Sequence, residues 1–144
     1  MLDKVNIKIY TINNISNKFK DRLKKLSFGN NGYMASLLDL FTKDYYMKGY
    51  VVCAYSDSKL IGWSLFSSHK MNTIGFAKSN DYCSINIFVD KTKRNNGVGK
   101  KIMLYSANKI HKLFNNKKIG VYPHDFYSHK LFDSISKQVL IKKF

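Results

Sequence analysis

The 144-residue sequence contains no glutamate, because all nine of its acidic residues are aspartates. This absence excludes any catalytic mechanism that requires a glutamate. A single proline and eight glycines exclude collagen-like and low-complexity architectures. No run of roughly 18 or more apolar residues occurs, so we expect no membrane-spanning helix and no membrane partner. The first twenty residues also lack the continuous apolar stretch of a secretory signal.

Cysteine is scarce as well, with Cys53 and Cys83 far apart and in apolar surroundings. Two such residues do not form a disulfide framework, so a reducing, cytoplasmic location is expected. Cys83 stands among strand residues with no histidine close by in sequence, which favours a small buried residue over a nucleophile. We predict no metal site, because the histidines have no ligand partners at suitable spacing.

Positive charge is in large excess, with 25 Lys and Arg against 9 Asp and a formal net charge of +16. A basic protein of this kind often binds polyanions, so nucleic acid is a candidate partner. However, 23 of the 25 cations are lysines, and Asn, Ile, Tyr and Phe are also abundant. An AT-rich genome would produce this composition whatever the protein binds, and both explanations stay open. The 44% hydrophobic content supports a single folded domain over residues 1–144.

Hydrophobic periodicity predicts ten elements in the order β-α-α-β-β-β-α-β-α-β, which is typical of an α/β protein with a mixed sheet. Ser16 can cap the first helix, and the polar residues 56–59 predict a hairpin turn. The predicted strands cover residues 5–12, 50–55, 60–67, 82–89, 118–122 and 139–144. The predicted helices follow Ser16, run from 34 to near 49, and cover 97–114 and 125–135.

The segment 94–100, Arg-Asn-Asn-Gly-Val-Gly-Lys, lies between a predicted strand and the long helix. The first N–H groups of a helix lack partners and its dipole attracts anions, so this position suits a phosphate. Gly97 and Gly99 would let such a group approach the backbone, while Arg94, Lys100 and Lys101 would add charge. A dinucleotide fingerprint or a nucleoside-triphosphate loop fits the residues less well.

Residues 94–99 resemble the acyl-CoA signature Arg/Gln-x-x-Gly-x-Gly/Ala of the GNAT N-acetyltransferase superfamily, and the element order is similar over nearly the whole chain. The resemblance implies a GNAT fold, with a central, mostly antiparallel mixed sheet flanked by helices. It also implies acetyl-CoA as co-substrate, with pyrophosphate on the amides of residues 95–100 and the pantetheine arm beside Phe88 and Val89. The implied cofactor-binding residues are Phe88, Val89, Arg94, Asn95, Asn96, Gly97, Val98, Gly99, Lys100, Asp125 and Ser128.

A second block of the family, Asn-x-x-Ala-x-x-Leu-Tyr, is similar to residues 125–132. Asp125 replaces Asn and Ser128 replaces Ala. Phe132 stands where many members have the tyrosine that protonates the departing thiolate. One strand follows this helix where most members have two, which implies a C-terminally short sheet whose edge a second copy of the chain could complete as a homodimer.

The resemblance implies direct attack of a primary amine on acetyl-CoA. Candidate catalytic residues are His129 and Tyr127, near Phe132 on its helix, and Asp81, which could act through water. Each could instead be a surface, packing or turn residue. The alternative function is a catalytically weak or inactive CoA-binding module that acts through protein or RNA binding.

The family resemblance places the acceptor pocket at the loop 27–33 and the segment 68–80. The amine acceptor is unknown from sequence. The positive charge argues against polycationic acceptors, and it suits an acidic protein or an aminoacyl-tRNA better.

Overall fold

The computed structural model describes residues 4–43, 48–67, 82–114, 118–121, 126–139 and 141–143. The ten predicted elements are present in the predicted order. They are β1 Asn6–Thr11, α1 Asn17–Leu26, α2 Tyr33–Lys43, β2 Gly49–Ser56, β3 Lys59–Ser67, β4 Tyr82–Val89, α3 Val98–Leu113, β5 Lys118–Val121, α4 Phe126–Ile135 and β6 Ile141–Lys143.

The six strands form one sheet in the order β1-β2-β3-β4-β5-β6. Neighbouring strands from β1 to β4 are antiparallel. The β4–β5 and β5–β6 pairs are parallel, and α3 and α4 provide the crossovers that parallel neighbours require. The expected mixed, mostly antiparallel sheet is confirmed.

The sheet lies between two helical layers, because successive strand residues point to opposite faces. On one face Ile85 and Val89 pack with Ile102 of α3 and Leu131 of α4. On the other face Trp63 of β3 and Phe88 of β4 pack with helix residues. These are Leu23 of α1 and Leu38 and Phe41 of α2. Strand β4 therefore contributes to both cores.

Local sequence explains where several elements begin. The amide of Phe19 donates to Ser16 Oγ at 3.1 Å, which confirms Ser16 as the cap of α1. The hairpin between β2 and β3 turns through Asp57 and Ser58, whose φ angles of 51° and 64° are those of a type I′ turn.

No helix in the described part of the chain is both long and apolar enough to cross a membrane.

Candidate functional site

Strand β4 separates from β5 halfway along its length. It pairs with β5 only at Tyr82, Cys83 and Ser84. Residues 85–89 remain paired with β3 on one side, while no described strand pairs with their other edge. Backbone N–H and C=O groups on such an edge need partners, so this stretch can accept an extended ligand as an added strand.

The loop after β4 is held by its own side chains. Asp90 accepts hydrogen bonds from the amide and hydroxyl of Thr92 at 3.0 and 2.9 Å. The backbone bond from Thr92 is the main reason that the pKa of Asp90 is lowered. Asn96 Nδ2 donates to the carbonyls of Lys93 and Arg94 at 3.3 and 3.2 Å. The loop is therefore shaped before any ligand arrives.

Helix α3 starts directly after two left-handed residues, Asn95 at φ 67° and Gly97 at φ 80°. Glycine suits the second of these because it has no Cβ to clash with the backbone there. No side chain in the described part caps the helix at Gly97. The first amides of α3 are thus available to an anion, as the sequence predicted.

A cleft of about 290 Å³ lies at this helix start, and we refer to it as the loop cleft. Two lysines, from α3 and α4, add positive charge to the dipole of the helix. The lining residues are Asn95, Gly97, Gly99, Lys100, Tyr127, Lys130, Leu131 and Ser134.

Gly99 has a role in packing that the sequence did not reveal. A Cβ on Gly99 would lie 2.5 Å from Tyr127 Oη and 3.0 Å from Leu131 Cδ2. A Cβ on Gly97 would have no heavy atom within 4 Å. Gly99 therefore permits the close approach of α3 and α4, whereas Gly97 is required by its backbone conformation.

The three predicted cations point in different directions. Arg94 Nε donates to the carbonyl of Val89 at 2.9 Å, and its guanidinium lies 4.4 Å from the ring centroid of Tyr127. Lys101 Nζ donates to the carbonyl of Val5 at 3.2 Å, away from the loop cleft. Of the three, Lys100 lines the cleft.

A second cavity, of about 240 Å³, lies where β4 leaves β5, and we name it the central cavity. Tyr127 lines both it and the loop cleft, so this side chain forms a wall shared by the two spaces. The remaining lining residues come from the α1–α2 region, β4, the following loop and α4. They are Ser27, Phe28, Tyr33, Met34, Ile85, Asn86, Ile87, Phe88, Lys91, Arg94, Ser128 and Phe132.

Several solved structures with a similar arrangement of strands and helices bear the names of acyltransferases. The chain is similar to ribosomal-protein-alanine N-acetyltransferase from Brucella melitensis biovar Abortus 2308, at 15% identity over 92% of this chain and 90% of that one, with a TM-score of 0.59. It is also similar to Escherichia coli ElaA, at 10% identity over 92% and 86% of the two chains and a TM-score of 0.67. The chain has the GNAT fold.

A third structure, an acyl-CoA N-acyltransferase from Pseudomonas aeruginosa, is 10% identical over 81% of this chain and 75% of that one, with a TM-score of 0.61. No family model and no curated protein sequence matches the chain. At these identities the likeness concerns the GNAT fold itself, so the residues of this chain must carry any further argument.

Within the GNAT fold, the α4 residues singled out from sequence separate into two groups. Tyr127, Ser128 and Phe132 line the central cavity. His129 is exposed and lines neither the central cavity nor the loop cleft, so its position does not support a role at the reacting thiol. Asp81, Asp125 and the segment 68–80 lie outside the described residues.

The predicted β4 residues and the acceptor loop adjoin the central cavity. Phe88 lines this cavity, and Val89 ends the unpaired edge with its carbonyl bound by Arg94. From the loop 27–33, Ser27, Phe28 and Tyr33 also line it. Cys83 is buried and its Sγ donates to the carbonyl of Ser67 at 3.0 Å, which agrees with a buried residue. The described part of the chain contains no cluster of metal-binding side chains.

Asn86 is a candidate that sequence reasoning missed. It is 5% exposed, it lines the central cavity, and its Nδ2 has no hydrogen-bond partner among the described residues. An unsatisfied buried donor costs about 1–3 kcal/mol, so such a group points to a ligand or an ordered water. The one indication of this candidate in the sequence is an amide side chain within the otherwise apolar stretch Ile85–Val89.

Proposed function

We propose that the protein is an N-acetyltransferase that moves an acetyl group from acetyl-CoA to a primary amine. The observation that carries this proposal is the unpaired edge of β4 over residues 85–89, which adjoins both the central cavity and the loop before α3. Two similar structures of the same fold bear names that denote N-acyl transfer.

The residues present fit acetyl-CoA in two places. The amides of residues 95–100, together with Lys100 and Lys130 in the loop cleft, supply donors and positive charge for a pyrophosphate. The β4 edge supplies backbone groups for the amides of the pantetheine arm. The guanidinium of Arg94 already binds the Val89 carbonyl, so we place the strand-like contacts on the residues before Val89.

In the reaction, the amine nitrogen attacks the thioester carbonyl carbon, a C–N bond forms and the C–S bond breaks. One proton leaves the amine and one is taken up by the thiolate. A thiol pKa of about 8.5 makes this leaving group acceptable even without a strong acid. We assign the acid to Tyr127, which lines both spaces, and keep Asp81 as the proposed base acting through water.

A second candidate function is supported by Phe132. This buried side chain is apolar at the position where the resemblance places a tyrosine, and the chain has no glutamate to act as base. A CoA-binding module of weak or absent activity, acting through protein or RNA binding, would have these features. Turnover separates the two functions, because both require acetyl-CoA binding.

The test is release of CoA thiol from acetyl-CoA by the purified protein with a panel of primary amines. We expect amine-dependent release, with the acetylated amine identified by mass spectrometry. Lys100→Glu should weaken it through repulsion in the loop cleft, while Lys112→Glu, on an exposed part of α3, should not. If the protein binds acetyl-CoA but no amine leads to release of CoA thiol, the result favours the second candidate.

The cellular setting is also a proposal. Cys53 and Cys83 are both buried and neither forms a disulfide within the described part of the chain, which supports a reducing cytoplasm. The proposed homodimer through β6 must overcome two exposed lysines, Lys142 and Lys143, since charged side chains discourage pairing at a sheet edge.

A further inference from the structure

An open groove of about 570 Å³ adjoins the central cavity, and we name it the basic groove. The two spaces share three lining residues, Phe28, Phe88 and Lys91. The two spaces therefore lie side by side, close enough for one molecule to reach both. The other lining residues are Arg22, Lys25, Leu26, Lys59, Leu60 and Asp90.

The groove carries four cations and one carboxylate. Asp90 accepts two hydrogen bonds from Thr92, keeps its negative charge and so offsets one of the four positive charges. No carboxylate in the described part of the chain forms a salt bridge with any of the four cations, in contrast to the nearby Lys24, whose Nζ lies 2.6 Å from Asp39. The net positive charge that remains along the groove attracts anions and repels cations.

Apolar residues also line the groove, and one exposed aromatic ring among them lies close to a cation. Phe28 is 64% exposed and packs edge-on against Phe88 at 4.9 Å between ring centroids. Lys91 Nζ lies 5.0 Å from the centroid of Phe28. Grooves that bind single-stranded nucleic acid stack successive bases on several aromatic side chains, whereas Phe28 is the one exposed aromatic residue among those that line this groove, so the arrangement favours a peptide with acidic and apolar side chains.

We propose that the acceptor is a peptide amine followed by acidic residues, with the amine in the central cavity and the acidic side chains in the basic groove. This inference rests on the proposed acetyl transfer and adds the class of acceptor. We therefore expect the protein to prefer acceptors with negative charge next to the amine. Acetyl-CoA binding alone would not produce this preference.

The experiment compares three short peptides with amidated C-termini, Ala-Asp-Asp, Ala-Asn-Asn and Ala-Lys-Lys, by CoA release. We expect kcat/KM to be about tenfold higher for the aspartate peptide than for the asparagine peptide, with the lysine peptide lowest. The preference should shrink between about 0.05 and 0.5 M salt, because the Debye length falls over this range.

Reversing the charge of two lysines in the basic groove gives a more specific test. Lys59→Glu combined with Lys91→Glu should invert the order of the three peptides, and Lys59→Gln alone should reduce the preference without inverting it. The matched control combines Lys112→Glu with Lys137→Glu, which makes the same change of net charge at two exposed residues that line none of the described cavities. The control should keep the original order.

Equal use of the three peptides, a preference for the lysine peptide, or no acetylation of any of them by a protein that binds acetyl-CoA would overturn the inference. A higher kcat/KM for an aminoacylated RNA than for every peptide would overturn it in favour of a nucleic-acid acceptor. Failure to bind acetyl-CoA would instead overturn the proposed function.

Discussion

At the scale of single residues, Asn86 brings an unpaired hydrogen-bond donor to the central cavity, where we expect the substrate to bind. Replacing a buried, unpaired polar group by an apolar one of similar size is close to neutral or stabilising. We therefore expect Asn86→Leu to keep or raise the melting temperature. Acetyl transfer should fall roughly tenfold or more, because the cavity then lacks the donor that we expect to bind a substrate oxygen.

Ser106 provides the control for this prediction. It is fully buried like Asn86, but its hydroxyl is paired with Ser64 Oγ and the carbonyl of Ile102, both at 2.7 Å. Ser106→Ala should lower the free energy of unfolding by about 1 kcal/mol and leave turnover unchanged. A large loss of stability in Asn86→Leu with full activity would show that Asn86 is structural.

Tyr127 is the residue whose hydroxyl we assign to proton transfer. Tyr127→Phe keeps the ring that packs against Arg94 at 4.4 Å. We expect turnover to fall at least about tenfold while acetyl-CoA binding persists, since general acid catalysis contributes roughly 10²–10⁴-fold. The exposed His129 serves as control, and His129→Phe should leave turnover unchanged. The assignment fails if the two variants show the opposite result.

The sequence predicted part of this site and missed the rest for physical reasons. Gly97 and Lys100 were predicted because a helix start after a glycine-rich loop is a local feature. The directions of Arg94 and Lys101 depend on where β4 and β1 pass, which local sequence does not specify. The open donor of Asn86 depends on the absence of a facing partner, and that is a property of tertiary packing.

At the scale of elements, the contact between α3 and α4 sets the width of the loop cleft. A Cβ at residue 99 would collide with Tyr127 Oη at 2.5 Å. We expect Gly99→Ala to lower the free energy of unfolding by about 1–3 kcal/mol, as overpacking does. In Gly99→Ala combined with Tyr127→Phe the loss should be smaller, because the colliding oxygen is gone.

This double-mutant cycle by chemical denaturation measures the contact directly. Gly97→Ala is the comparison, because a Cβ there meets nothing within 4 Å. Its cost should be the backbone strain of about 1–2 kcal/mol, and Tyr127→Phe should not change it. Additive losses at Gly99 and Tyr127 would contradict the role of Gly99 in packing.

All ten elements were predicted from hydrophobic periodicity, because each buries one regular face. The mixed sheet followed from their order. The separation of β4 from β5 after Ser84 was not predicted from the residues, since the apolar stretch Ile85–Val89 looks the same whether one or both of its edges are paired. The edge that carries the proposed function is therefore visible only in three dimensions.

At the scale of the whole molecule, we expect the free energy of unfolding to fall at alkaline pH. Burial raises the pKa of the Cys53 thiol from 9.0 to about 12, with a hydrogen bond to Tyr55 and the charge of Arg22 opposing the shift. Burial also raises the pKa of Tyr55, and its hydrogen bond with Tyr10 acts in the same direction. Both groups hold their protons longer in the folded state.

Because the unfolded chain loses these protons first, the two groups should leave the free energy of unfolding unchanged below pH 9 and lower it between about pH 9 and 12. The contribution of Cys53 approaches about 1.4 kcal/mol per pH unit in that window. Urea titrations across the range measure the slope. Cys53→Ala should flatten it, and an unchanged slope in this variant would assign the decline to other groups.

The proposed function depends on the binding of acetyl-CoA along the β4 edge and at the start of α3. The most direct measurement is the melting temperature with and without acetyl-CoA, for the native protein, Lys100→Glu and Lys112→Glu. At about 100 times Kd the ligand adds about 2.7 kcal/mol, which corresponds to a rise of roughly 5 to 10 °C. We predict this rise for the native protein and for Lys112→Glu, and a much smaller one for Lys100→Glu. No rise in the folded native protein, or an equal rise in all three, would contradict this mode of binding.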